Sequence, residues 1–90
     1  MKDKERELER IFKALANRRR LSILSFLRKK KQANVGEIAG AIKLSFKSTS
    51  KHLNILISCG ILDKEQNNLY VSYSFLSEPD EMVRKILAIL

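Results

Sequence analysis

Apolar residues recur at helical spacing through most of this chain and change to every second position only once, after Gly60. The first stripe, Leu8, Ile11, Phe12 and Leu15, has the i, i+3, i+4, i+7 spacing of an amphipathic helix and predicts one over residues 3–15. Asn17 interrupts the pattern, and a second helix is expected over 18–30. Its Leu21, Ile23, Leu24, Phe26 and Leu27 spread too widely for one stripe, so this helix should be central and buried on more than one side. Lys29 to Lys31 form a basic exit, explained by favourable charge at a helix C-terminus followed by a solvated loop. A short third helix is expected from Asn34, where Asn34 and Glu37 have capping-box spacing ahead of Ile38, Ala39, Ala41 and Ile42.

Lys43 and Leu44 leave only a tight connection before the stretch Ser45–Gly60, which has start and stop signals of its own. Ser45 suits an N-cap, because its hydroxyl can accept from the N–H of residue 47 or 48. Gly60 suits the left-handed position that closes a helix. Between them Thr49, Leu53, Leu56 and Ile57 share one face. The opposite face holds Lys47, Ser50, Lys51 and Asn54, donors suited to phosphates and base edges. Taken alone, this is equally a solvated surface helix. Joined to the short helix by so brief a turn, residues 34–60 read as a helix-turn-helix whose second helix would enter the major groove of DNA.

After Gly60 the pattern becomes that of strands. Ile61 to Gln66 predicts one strand, Asn67-Asn68 a turn tolerant of positive φ, and Leu69 to Phe75 the returning strand. Leu69, Val71, Tyr73 and Phe75 would face one side, with Tyr70, Ser72 and Ser74 on the other. This hairpin, 61–76, sits where a wing belongs. Ser77, Glu78 and Pro79 should open a last helix, 78–90, since Pro is welcome in a first turn. Met82, Val83, Ile86, Leu87, Ile89 and Leu90 make that helix apolar around more than half its circumference, wider than one small core requires. A second subunit is the natural cover, with Leu8, Ile11, Phe12, Leu15, Met82, Val83, Ile86, Leu87 and Leu90 as the expected interface. The expected fold is one domain over 1–90, mainly α with a small β-hairpin, arranged as a dimeric winged helix-turn-helix.

Charge narrows the partner. The 90 residues have a net charge of +8, with fifteen Lys/Arg against five Asp/Glu in residues 1–60 and three against five in 61–90. Such a balance points to an anionic partner, nucleic acid ahead of membrane. No apolar run approaches membrane-spanning length and the N-terminus is charged rather than signal-like, so the chain reads as cytoplasmic. One cysteine rules out an internal disulfide framework. There is no carboxylate pair, nucleophile–base set or glycine-rich phosphate loop, so neither an enzyme nor a cofactor is expected. Two classes remain: a regulator that binds specific double-stranded DNA, and a dimeric winged-helix adaptor for protein partners, favoured by the acidic hairpin and the apolar last helix.

At this point the chain resembles the arsenic-repressor (ArsR-type) family of winged helix-turn-helix regulators. Phe12-Lys13-Ala14-Leu15-Ala16-Asn17-Arg18-Arg19-Arg20-Leu21-Ser22-Ile23-Leu24 is similar to the family's Leu-Ala-(Asp/Asn)-x-x-Arg-x-x-Ile-Leu signature, with Arg20 at its arginine. Leu44-Ser45 followed by Ser50-Lys51-His52-Leu53 resembles its recognition helix, and Gly60-Ile61-Leu62 with Tyr70-Val71-Ser72-Tyr73 resembles its helix exit and wing. The resemblance implies a homodimer paired through its first and last helices, binding an inverted-repeat operator and repressing transcription. Ser45, Phe46, Lys47, Ser50, Lys51, His52 and Asn54 would then approach the DNA from the recognition helix, with Lys43, Arg18, Arg19 and Arg20 nearer the sugar-phosphate strands.

Several departures qualify that expectation. Metal-sensing members carry a Cys-x-Cys pair opening the third helix, where this chain has Asn34 and Gly36. Others bind zinc through Asp and His on the last helix, where this chain has Asp80 and Glu81 but no histidine. His52 and Cys59 lie seven residues apart, about 10 Å of helical rise, whereas zinc needs three or four ligands within about 2.3 Å. No metal is therefore expected. His52 reads as a structural or backbone-contacting residue and Cys59 as a small apolar one, with redox sensing the alternative. Phe46 replaces a residue that is commonly polar, and either meets a thymine methyl group or folds onto the core. The hairpin tip carries Asp63, Lys64 and Glu65 and no arginine, so attraction to DNA should come from residues 18–20, 28–31 and 43–51.

Overall fold

A computed structural model describes residues 2–90. Five helices, α1 (Lys2–Leu15), α2 (Arg18–Lys30), α3 (Val35–Ile42), α4 (Phe46–Ser58) and α5 (Glu81–Leu87), pack with three short strands, β1 (Gln32–Ala33), β2 (Leu62–Asn67) and β3 (Tyr70–Phe75). This is the winged helix-turn-helix expected from the periodicity. Among the described residues no helix is long and apolar enough to cross a membrane.

Local signals account for most helix ends. Asn17 caps α2, its side chain accepting from Arg20 N–H at 3.1 Å. Asn34 and Glu37 close a reciprocal capping box on α3, at 2.8 and 3.0 Å. Ser45 caps α4 by accepting from Ser48 N–H at 3.1 Å. The α3–α4 turn depends on Lys43, which takes φ 57° and ψ 54° and lets Leu44 N–H reach back to Ala39 O at 3.0 Å. A lysine in this left-handed region costs about 1 kcal/mol, so packing on both sides of the turn must hold it. Gly60, at φ 76°, ends α4 without that cost.

The core is one cluster. Ile11, Ala14 and Leu15 of α1 meet Ile23, Leu24 and Leu27 of α2, Ile38 and Ile42 of α3, Leu53 and Leu56 of α4, then Ile61, Leu62, Tyr73, Val83 and Leu87. Helix α2 touches α1, α3, α4, β1 and β3, as its widely spread apolar residues predict, although Leu21 remains 39% exposed.

Four expectations change. The segment after Lys31 is not only loop: Gln32 and Ala33 pair with Ser74 and Tyr73, making a three-stranded antiparallel sheet in the order β1-β3-β2. Two residues have no readable period, and the pairing comes from α2 delivering them beside β3. The hairpin turn lies at Asn68-Leu69, one residue later than expected, because Asn68 takes the positive φ (54°) and Asn67 pairs with Tyr70. The last helix spans Glu81–Leu87, not 78–90: Asp80 accepts from Met82 N–H at 3.1 Å, so Pro79 precedes the cap, and the helix closes at Ala88. The expected dimer set also divides. Ile11, Leu15, Val83 and Leu87 are buried in the protomer's own core, whereas Leu8, Phe12, Met82, Ile86 and Leu90 retain accessible surface.

Thr49 is fully buried on the inner face of α4, and its Oγ1 has no hydrogen-bond partner among the described residues. A buried hydroxyl left in that state is destabilising. Thr49→Val should therefore raise stability by about 1 kcal/mol, read as a higher urea midpoint at unchanged slope. A lower midpoint would mean that the hydroxyl is satisfied in solution.

Candidate nucleic-acid interface

Helix α4 is oriented by its apolar face. Thr49, Leu53 and Leu56 are buried, which turns Lys47, Lys51 and Asn54 outward with Ser50 half-exposed beside them. Between Glu37 and Asp63 the chain contains Lys43, Lys47 and Lys51 and no acidic residue, so this face has no internal counter-charge. Lys43 is exposed at the turn that precedes the helix. Ser45 is exposed but serves first as the helix cap. Phe46 does not fold into the core: it is 61% exposed and its ring lies over Gly36. Sequence reasoning places all of these near DNA; Lys47, Lys51 and Asn54 are spread along the outward face of α4, with Lys43, Ser45 and Phe46 at its N-terminal end.

The arginines behave differently. Arg20, expected near the sugar-phosphate strands, is half-buried and reaches three acceptors: Nε donates to Ala14 O, Nη2 to Lys13 O at 3.3 Å, and Nη1 to His52 Nδ1 at 3.0 Å. It thereby satisfies carbonyls at the end of α1 while holding α4 through His52. Arg19, assigned the same role, donates from Nη1 to Ile42 O at 2.9 Å and closes the end of α3. Arg18 is exposed and lines a cavity of about 380 Å³ with Leu21, Ser25, Arg28 and Leu90. Arg28 donates to Leu87 O at 3.0 Å at the end of α5, with its guanidinium 5.9 Å from the Phe75 ring centroid. The reason is common to Arg19, Arg20 and Arg28: the last carbonyls of a helix have no partner within it, and a guanidinium supplies both the donors and the favourable charge. The freely projecting charge on the outer face of the helix-turn-helix is lysine.

His52 is thus a member of the Arg20 network, half-buried and not presented outward. Because Nδ1 accepts from an arginine, the neutral ring carries its proton on Nε2. Burial pushes the His52 pKa below its ordinary value of 6.5, and the Arg20 and Arg19 charges add to the effect. Cys59 is buried and donates from Sγ to Ile55 O at 3.1 Å, as its reading as a small apolar residue anticipates. At the wing, Asp63 and Glu65 are exposed, and the shifted turn leaves Leu69 and Tyr70 at the tip, 91% and 67% exposed. Sequence reasoning missed that apolar tip because it placed the turn one residue early.

The family's metal-binding thiolate positions do not fit an ion here. Asn34 Oδ1 is engaged by Glu37 N–H, and Gly36 has no side-chain donor. Among the described residues no three His, Cys, Asp or Glu side chains converge as ligands would.

The model of the bacterial regulatory protein arsR family matches residues 17–64, from the cap of α2 to the first residues of the wing. Among solved structures, a homodimeric winged helix-turn-helix DNA-binding domain from Mycobacterium bovis, described as a possible ArsR-family transcriptional regulator, is 30% identical with a TM-score of 0.77. The match covers 92% of this chain and 73% of that one. Reduced HlyU from Vibrio cholerae is 28% identical, with a TM-score of 0.80 over 100% of this chain and 90% of its own. The transcriptional repressor PagR of Bacillus anthracis is 25% identical, with a TM-score of 0.78 over 99% and 98%. No curated protein matches the chain.

The Arg20 network predicts its own failure. Arg20→Lys keeps the charge, but one ammonium cannot span three divergent acceptors, so stability should fall by about 2 kcal/mol. The folded state resists protonation of His52 more than the unfolded chain does. The corresponding stability is therefore present above pH 6.5 and lost as the pH falls below it. Urea titrations from pH 7.5 downward should show that loss in wild type and a flatter profile in His52→Gln. Identical profiles would remove His52 from the network.

Proposed function

The chain belongs to the ArsR family of bacterial regulatory proteins, and from that premise we propose that it is a homodimeric repressor that binds a specific, inverted-repeat DNA site and does not respond to metal. The family and the fold are those of DNA-binding transcription regulators rather than enzymes. The observation that carries the reading for this chain is the outer face of α4, with Lys47, Ser50, Lys51 and Asn54 projecting opposite a fully buried face and with no acid nearby in sequence. A helix of this composition fits the major groove, where lysine and asparagine can meet base edges. Lys43 would meet a phosphate strand. Repression is supported by the likeness to PagR, itself a transcriptional repressor. Metal independence is supported by Asn34 and Gly36, which offer no thiolate.

Base contacts carry specificity and phosphate contacts carry affinity and salt dependence, so the two groups should fail differently. Lys47→Ala or Asn54→Ala should cost about 1–3 kcal/mol on the preferred duplex and much less on random DNA. Lys43→Ala should weaken both alike and flatten the salt slope by about one unit. Salt titrations on the preferred and a random duplex distinguish these outcomes, and zinc, cadmium or arsenite should change neither curve. Absence of salt-dependent duplex binding by wild type would replace this reading with that of a protein adaptor.

The dimer is supported by Leu8, Phe12, Met82, Ile86 and Leu90, which stay accessible on the first helix and the C-terminal segment, and by the homodimeric state of the mycobacterial domain. Burial of each large apolar side chain is worth about 1.5–3 kcal/mol. Phe12→Glu, at a side chain 53% exposed, should shift the protein strongly to monomer by sedimentation while leaving it folded. Leu87→Glu should instead unfold it, since Leu87 belongs to the protomer core. A monomeric wild type at micromolar concentration would refute the dimer.

A further inference from the structure

Phe46 occupies the first helical position of α4 and is 61% exposed, yet its ring is not loose in solvent. The ring lies across the first turn of α3, at Gly36. A Cβ added to Gly36 would come within 3.3 Å of Phe46 Cζ, 3.6 Å of Cε1 and 3.3 Å of the capping Asn34 Oδ1, so the absent side chain lets the ring lie this close to α3. The result is a flat apolar plate backed by main chain, at the leading end of the helix whose outer face carries Lys47, Ser50 and Lys51. Lysine, serine and asparagine can bond polar base edges, but a phenyl ring can form no such bond. The apolar group that the major groove presents is the C5 methyl of thymine.

We propose that Phe46, positioned by Gly36, reads the methyl group of a thymine in the major groove. The proposal rests on the DNA-binding reading above and deepens it, since it names a base that this helix selects and a residue that selects it. Gly36 acts here as a positioning residue: it touches no base, and it sets where the ring stands.

Replacement of thymine by deoxyuridine removes that methyl and nothing else, which gives a direct test. A preferred duplex is selected from a randomised double-stranded library by the wild-type protein. Each of its thymines is then replaced in turn. At a particular thymine in each half-site the replacement should weaken wild-type binding about fourfold, the weight of one buried methyl group. Phe46→Ala should bind the thymine and uracil duplexes alike. Gly36→Ala, which crowds the ring, should shrink the uracil penalty while affinity for a random duplex is retained. The proposal is overturned if no thymine is sensitive in wild type, or if the same penalty persists in Phe46→Ala. The wild-type scan requires no variant, and Phe46→Ser, which also removes the apolar group, substitutes if the alanine protein does not fold. Salt-dependent binding to the random duplex is measured alongside. Its absence in wild type would sink the DNA-binding reading itself, whereas binding indifferent to every methyl group sinks only the role of Phe46.

Discussion

The contact on which the arrangement of this domain depends is the fork that Arg20 makes between the end of α1 and the middle of α4. One guanidinium satisfies the carbonyls of Lys13 and Ala14 and holds His52 on α4. A helix end left without donors inside a packed domain is costly, because buried carbonyls lose their water without gaining a partner. By meeting that requirement with a side chain from α2, the protein couples three helices through a single residue. His52 must stay neutral for the bond to exist, and burial together with the adjacent arginines keeps it so.

The same solution recurs around the molecule. Arg19 closes α3 at Ile42, Arg10 reaches Ser58 O at the end of α4 at 3.2 Å, and Arg28 closes α5 at Leu87. Much of the arginine content therefore stabilises the negative ends of helix dipoles. The division of labour is chemical: a planar fork spans several main-chain acceptors, whereas an ammonium on a flexible stem meets a phosphate as a point charge. It also explains why the net positive charge overstates the charge available to a partner. The lysines at 43, 47 and 51 are exposed, while Arg19 and Arg20 are committed to the fold.

Core packing directs the outer face of α4. Thr49, Leu53 and Leu56 fix the rotation of α4 about its axis, and the left-handed turn at Lys43 fixes its direction relative to α3. That turn also brings Phe46 back over Gly36, so the two helices of the motif share an apolar contact at the end that faces outward. The wing is built differently. Its base is anchored by Leu62 and Tyr73 in the core, whereas its tip projects Leu69 and Tyr70.

Helix identity, the caps at Asn34 and Ser45, the stop at Gly60 and the polar face of α4 were all determined by the sequence itself, because each rests on interactions within about four residues. Family likeness was legible for the same reason: its motifs are local stretches at fixed spacing. The rest required the tertiary structure. Whether Ile11, Leu15, Val83 and Leu87 face a partner or their own core depends on how five helices share one cluster, and an apolar stripe looks the same in either case. The two-residue strand β1 exists only because β3 lies alongside it. The fate of Arg18, Arg19 and Arg20 was equally hidden, since three consecutive arginines look identical in sequence, and only the positions of the α1 and α3 ends decide which of them finds a carbonyl.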